Sequence, residues 1–261
     1  MQIATLASCD RETLDRHIRA GLPFIMPGLA RDWPACSKWT PRYLSDVCAD
    51  NAIPVSQYPD GTTLRGKIKM TVAEYVAALQ ATPDSYRHYY MESVDLDELS
   101  PALYRDLRVP DFLQGLPGAT DTVFFGHSTG SCCHIHAHEE SFVLQLMGEK
   151  IFHLYPPEDV GNLYFESLFA DYRRSQIDFE HPDPQRFPRL HALSHCEVRM
   201  QPGDGLYLPL HWAHWTAATD FTFTLTRFFD ARLRDYHFPS PGLRCLAGRT
   251  LSRWAERLRR R

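Results

Sequence analysis

No stretch of this chain approaches the ~20 consecutive apolar residues that a membrane-spanning helix needs, which argues against a membrane protein. The first residues, "MQIATLASCDRETLDRHIRAG", carry charges early and have no continuous apolar core, so they are not expected to act as a secretion signal. There is no internal repeat or low-complexity segment, which excludes a solenoid or collagen-like architecture. Neither sign of charge dominates: 28 Lys and Arg stand against 32 Asp and Glu, a formal charge of -4. That balance argues against nucleic acid as the partner. A disulfide framework is missing as well. The seven cysteines (9, 36, 48, 132, 133, 196 and 245) are odd in number and scattered, as expected of free thiols in a reducing, cytoplasmic setting. Adjacent Cys132 and Cys133 read as small strand hydrophobes. A βαβ rhythm is absent, so a doubly wound parallel sheet is not expected.

What is present is a globular composition, 44% hydrophobic and 23% charged, in two textures. Residues 1 to 86 carry helix signals. "DRETLDRHIRA" has Asp10 as N-cap and Gly21 as its stop, and "SKWTPRYLSDVC" has Thr40 as N-cap with Pro41 at the first helical position. "MTVAEYVAALQAT" pairs Thr71 with Glu74 as a capping box. Short strands are expected at "LPFIMPGL" and "AIPVSQYP", with "DGT" as a turn. From Arg87 the chain turns to short alternating strands: "RHYYMES", "DTVFFGH", "CCHIHAH", "SFVLQLMG", "KIFHLYP", "CEVRMQPGDGLYLP" and "DFTFTLTRFF". Many short strands in one half suggest a sandwich or barrel. The tail "GLRCLAGRTLSRWAERLRRR" spaces Leu243, Leu246, Thr250, Leu251, Trp254 and Leu258 as an amphipathic helix with a basic opposite face. Its apolar stripe is a candidate homodimer contact.

The chemistry concentrates in two places. "SCCHIHAHEESF" sets His134, His136 and His138 at every second position, followed by Glu139 and Glu140. In an extended chain such positions share one face. Downstream, "QPGDGLYLPLHWAHWTA" carries His211 and His214 among Trp212 and Trp215, after a turn and a strand. Two imidazoles from one segment and a third from a distant strand can hold a divalent metal with open positions.

Four ordered motifs carry a resemblance that runs from about Gly21 to Phe229. "GLPFIMPGLARDWPACSKWTPRYLSD", "QLMGEKIFHLYPPEDVGNLY", "SQIDFEHPDPQRFPRL" and "PGDGLYLPLHWAHW" are similar to the JmjC/cupin-like 2-oxoglutarate oxygenases, the third being closest to their asparaginyl hydroxylase branch. The resemblance implies a mainly β chain with flanking helices. Its core would be a double-stranded β-helix, or jelly-roll, behind an N-terminal α/β segment and followed by a C-terminal helix. One domain is expected over residues 1–240, with the core at about 87–230 and the basic helix at 241–261. The resemblance also implies Fe(II), 2-oxoglutarate as co-substrate and O2. By position, His134 and His214 match the first and last metal ligands, and Lys150 matches the lysine that pairs the distal carboxylate of 2-oxoglutarate. Ser131 and Tyr90 match groups that help bind that carboxylate, with Tyr89 a rival for the second. Thr226 stands where some relatives have Asn. Trp212, His211 and Trp215 are expected to line a substrate pocket, for a peptide, a protein side chain or a small molecule.

One position departs from the family pattern. H-x-D or H-x-E is usual there, but this chain reads "HIH", with His136 in place of the carboxylate. Three ligand sets stay open: His134, His136 and His214; a set using His138 with Glu140; and His134 with Glu139 or Glu140 swung in. The first would carry no negative charge on its protein ligands. A three-His set also resembles oxygenases that use no 2-oxoglutarate, and a site that binds no metal productively would leave a binding module.

Overall fold

A computed structural model describes residues 1–58, 65–81, 89–167 and 173–248. The local signals in the first 86 residues act as expected. Helix α1 (Arg11–Ala20) starts where the Asp10 carboxylate accepts from Thr13 N, and ends at Gly21 with φ 61°. That left-handed conformation suits glycine and lets its N–H reach the last carbonyls of the helix. A short helix α2 (Pro34–Lys38) precedes α3 (Pro41–Cys48), which Thr40 caps through Tyr43 N. Helix α4 (Val72–Ala81) has the expected reciprocal cap: Thr71 N donates to Glu74 Oε2 at 2.8 Å and Glu74 N to Thr71 Oγ1 at 3.2 Å.

Thirteen strands are described, in two sheets. The N-terminal region supplies β1 (Ala4–Thr5), β2 (Phe24–Met26), β3 (Ala52–Gln57), β4 (Gly66–Thr71) and β5 (Tyr89–Asp95). The core follows with β6 (Thr120–His127), β7 (Ser131–His134), β8 (Glu139–Met147), β9 (Lys150–Tyr155), β10 (Cys196–Met200), β11 (Gly205–Leu208), β12 (Ala213–Ala217) and β13 (Phe221–Asp230). The larger sheet runs β1-β2-β11-β8-β13-β6-β5-β3-β4 and the smaller β10-β9-β12-β7. Consecutive core strands alternate between the sheets except β9 and β10, which pair with each other in the smaller sheet. This is the jelly-roll winding, and its pairs are antiparallel. The β8–β9 turn needs Gly148, whose φ is 68° and whose ideal Cβ would sit 1.9 Å from Phe221 O.

Strand alternation then distributes the side chains. On β13, Phe223 and Leu225 enter the apolar core shared with α1 to α4, while Thr224 and Thr226 face the other sheet. On β9, Lys150, Phe152 and Leu154 point inward and are buried. A second apolar cluster, including Val143, Phe152, Leu154, Leu206, Leu208 and Trp212, fills the space between the sheets. Burying side chains of this size stabilises by roughly 1.5–3 kcal/mol each.

One expectation needs correction. "CCHIHAH" is not strand throughout: pairing stops at His134, and residues 135–138 form a loop. The backbone there is tied instead by Ile135 N to Arg173 O and by His211 N to His136 O. In the tail, residues 242–248 are helical, with Cys245 buried and Leu243 exposed. The "DGT" turn, Thr250, Leu251, Trp254, Leu258 and the terminal arginines lie outside the described residues.

Candidate metal centre

The smaller sheet brings the two histidine segments together. His134 on β7 stands directly opposite His214 on β12 in an antiparallel pair, and β12 is flanked on its other side by β9. His136 curls back from the loop. Its ring centroid lies 5.4 Å from that of His134 and 4.8 Å from that of His214, and the latter two are 4.3 Å apart. One ring nitrogen from each lies within 4.8 Å of the other two. Metal–imidazole bonds of ~2.0–2.1 Å span such a triangle with small ring movements.

The rings are held in the form a metal requires. His134 Nδ1 lies 2.8 Å from Cys132 O, and His214 Nδ1 lies 3.2 Å from Trp212 O. A carbonyl can only accept, so each Nδ1 carries the proton and each Nε2 keeps its lone pair. His136 reaches the same state through a hydroxyl. Ser141 Oγ donates to Leu208 O at 3.1 Å and lies 3.4 Å from His136 Nδ1, which it can serve only as acceptor. Burial keeps all three rings neutral: His134 and His214 are pushed below the usual imidazole range, and His136 down to about 3. Repulsion from His134 adds to the last two.

Beside the triangle lies a cavity of about 50 Å³, lined among others by Lys150, Tyr90, Ser131, Thr224 and Thr226. Lys150 is 3% exposed. Its Nζ donates to Tyr90 Oη at 2.7 Å and to Thr224 Oγ1 at 3.5 Å, and it lies 5.3 to 5.9 Å from the ring centres of Tyr90, Phe124 and Phe152. Thr224 passes the interaction on to Gln145 Oε1 at 2.8 Å. Among the described residues no carboxylate pairs with this ammonium, and burial drives its pKa down to about 7. The cavity shares Tyr90, Ser131 and Thr216 with an outer pocket of about 280 Å³, lined by Trp215 and Phe179, whose ring centroids are 5.8 Å apart with planes 19° from parallel.

Other sequence candidates fall elsewhere. His138 turns away, with Nδ1 2.9 Å from Tyr236 Oη. Glu139 is exposed at the start of β8, opposite Asp230. Glu140 is buried but points to the far side of the larger sheet, where its Oε2 accepts from Tyr207 Oη at 2.7 Å and Leu210 N at 2.9 Å. Trp212 belongs to the apolar filling between the sheets, with its indole N–H donated to Gly21 O. His211 is packed against Tyr236 and His237, away from the cavity. Trp215 alone of the expected pocket residues reaches the outer pocket. Tyr90, not its neighbour Tyr89, faces Lys150; Tyr89 packs on the larger core.

A family model described as "Cupin-like domain" matches residues 10–235. The chain belongs to the cupin-like domain family. Its relatives include "Lysine-specific demethylase 8" of Xenopus tropicalis, 27% identical over 221 residues, with 81% of this chain and 49% of that protein covered. "HSPB1-associated protein 1" of Homo sapiens is 28% identical over 222 residues, covering 76% and 45%. "Jumonji C domain-containing protein 5" of Drosophila melanogaster is 24% identical over 245 residues, covering 86% and 61%. The cupin-like chain thus spans about half the length of the first two. Family and histidine triangle together support a metal-dependent oxygenase. Among the described residues no helix is long and apolar enough to cross a membrane.

Three contributors to this cupin-like site were not singled out from sequence. Ser141 and Thr216 are ordinary strand residues until the sheets are paired, although Thr224 shared the alternating face of "DFTFTLTRFF" with Thr226. That pattern was the available signal for Thr224; Ser141 and Thr216 had none.

Proposed function

We propose that this chain is an Fe(II)- and 2-oxoglutarate-dependent oxygenase, in which His134, His136 and His214 hold the metal. The observation that carries the reading is Lys150: a buried ammonium, beside three lone-pair-bearing imidazoles, with no carboxylate of its own. Burying such a charge without a counter-ion costs several kcal/mol, which an anionic co-substrate offsets. The metal would supply oxygen activation and bind the keto-acid end of 2-oxoglutarate. Lys150, Tyr90, Thr224 and Thr226 would take the distal carboxylate, with Ser131 at the cavity's rim. Phe124, Phe152 and Phe228 keep water from that end. The C–H bond to be oxidised would enter through the outer pocket past Trp215. Relatives whose names include a lysine-specific demethylase support a peptide or protein side chain as substrate.

The test is succinate formation from 2-oxoglutarate by iron-loaded protein in air. Wild-type protein is expected to form it and Lys150→Ala to form none. Oxygen uptake that is the same with and without 2-oxoglutarate would favour the second reading. That reading is an oxygenase needing only the metal, and it rests on the absence of a carboxylate in the ligand set.

A further inference from the structure

The missing carboxylate raises a question of charge. In the usual pattern, one carboxylate ligand, a divalent metal, dianionic 2-oxoglutarate and the lysine sum to zero. With His136 in the ligand set, the same assembly is left with one uncompensated positive charge. Among the described residues no acidic side chain lines the inner cavity. The nearest strand outside it does supply one.

Glu92 lies on β5, two residues beyond Tyr90 and therefore on the same face of the strand. A bulge follows: Met91 pairs with Phe125 and Val94 with Val123, so one extra residue is accommodated at 92–93, where Ser93 has φ 55°. Met91 and Val94 both stay in the apolar core, which leaves Glu92 on the side of the site. Its Oε1 accepts from Tyr58 Oη at 2.5 Å. Tyr58 and Tyr90 both line the outer pocket, and Tyr90 is the residue that holds Lys150. The field of Glu92 also acts on Tyr90 and Lys150, so its carboxylate lies within reach of both. Two other carboxylates, Asp178 and Glu180, line the outer pocket; Asp178 is engaged by Glu180 N, His181 N and the His181 ring, and Glu180 is exposed.

We propose that Glu92, held by Tyr58, is the outer-sphere carboxylate that replaces the charge lost at His136 and stabilises the divalent metal in a three-His site. Glu92 acts through space as a positioning and charge-balancing residue; it is not a fourth ligand, since its carboxylate is outside the triangle of ring nitrogens. The inference rests on the metal-binding reading above, and its charge balance on the 2-oxoglutarate reading.

The experiment is anaerobic titration of the full chain with Co(II) alone, without 2-oxoglutarate, followed by the visible spectrum of the bound ion. Glu92→Gln keeps shape and hydrogen-bonding capacity while removing the charge, and is expected to weaken Co(II) binding about tenfold, or ~1.4 kcal/mol. Glu92→Asp keeps the charge and is expected to stay within about threefold of wild type, because Coulomb energy falls only inversely with distance. Equal affinity in wild type and Glu92→Gln overturns the proposal. So does an Asp variant as weak as the Gln variant, which would mean that shape and not charge matters. A wild-type protein that binds Co(II) but then fails to bind 2-oxoglutarate would sink the co-substrate reading and leave the Glu92 result standing.

Discussion

Two ionisable groups lie buried on opposite sides of this jelly-roll, and they are satisfied in different ways. Glu140 is 1% exposed and closes a local network: one oxygen takes both the Tyr207 hydroxyl and the Leu210 amide. Burial still lifts its pKa to about 7, and no cavity of the metal site touches it. Lys150 is 3% exposed and has only a phenol and a distant threonine, in a cavity beside three imidazoles. One group holds the bend that delivers His214; the other is an incomplete ion pair. The difference separates architecture from function: Glu140 satisfies a buried hydroxyl and a buried amide that its loss would strand, whereas an under-partnered buried charge costs stability until a ligand arrives.

The largest effect expected is loss of metal. His134→Ala or His214→Ala removes one of three ligands from the triangle and should weaken Co(II) binding by at least ~100-fold, with the fold kept, as read by anaerobic titration and circular dichroism. The comparison itself is broken most directly by stability. Glu140→Ala strands a buried hydroxyl and a buried amide and should lower unfolding free energy by about 2–4 kcal/mol. Lys150→Met should instead leave the unliganded protein as stable or raise it by about 1–2 kcal/mol, while abolishing 2-oxoglutarate binding. Urea unfolding of both variants reads this out; a Lys150→Met protein that loses as much as Glu140→Ala would show the lysine to be structural.

A subtler difference is in pH. The Lys150 pKa is depressed to about 7 in the free protein, and an anion beside it would raise that value, so binding takes up a proton above pH 7. The affinity for 2-oxoglutarate should therefore be flat just below pH 7 and fall by up to tenfold per unit above it. Calorimetry in buffers of different ionisation enthalpy would detect the proton. The smallest effect is expected at Ser141. Ser141→Ala removes the group that sets the His136 tautomer and should weaken Co(II) binding about tenfold; an unchanged affinity would take the hydroxyl out of the account.

Local sequence made the caps legible, the family resemblance implied the winding, and the structure brings His134, His136 and His214 together. Periodicity set Thr224 and Thr226 on the face of β13 opposite Phe223 and Leu225, and the Thr71–Glu74 and Asp10 caps are local bonds that need no tertiary context. "HIHAH" was harder, because period-two alternation holds only while a strand is paired. Pairing ends at His134, so His136 returns to the site by a loop and His138 leaves it for Tyr236. Trp212 looked like a pocket residue because it stands close in sequence to His214, yet it precedes β12, packs between the sheets and donates its indole N–H to the Gly21 carbonyl. Glu140 and Glu92 show the same limit from two directions: which side of the sheet a carboxylate takes depends on cross-strand register and a bulge, neither of which is written in local pattern.

The most direct test is a calorimetric titration of 2-oxoglutarate into anaerobic Co(II)-loaded protein, repeated without metal and with Lys150→Ala. The account predicts saturable one-to-one binding to the loaded wild type, and at least ~100-fold weaker binding when either the metal or the ammonium is removed. Binding that is indifferent to both, or absent from the loaded wild type, would contradict it.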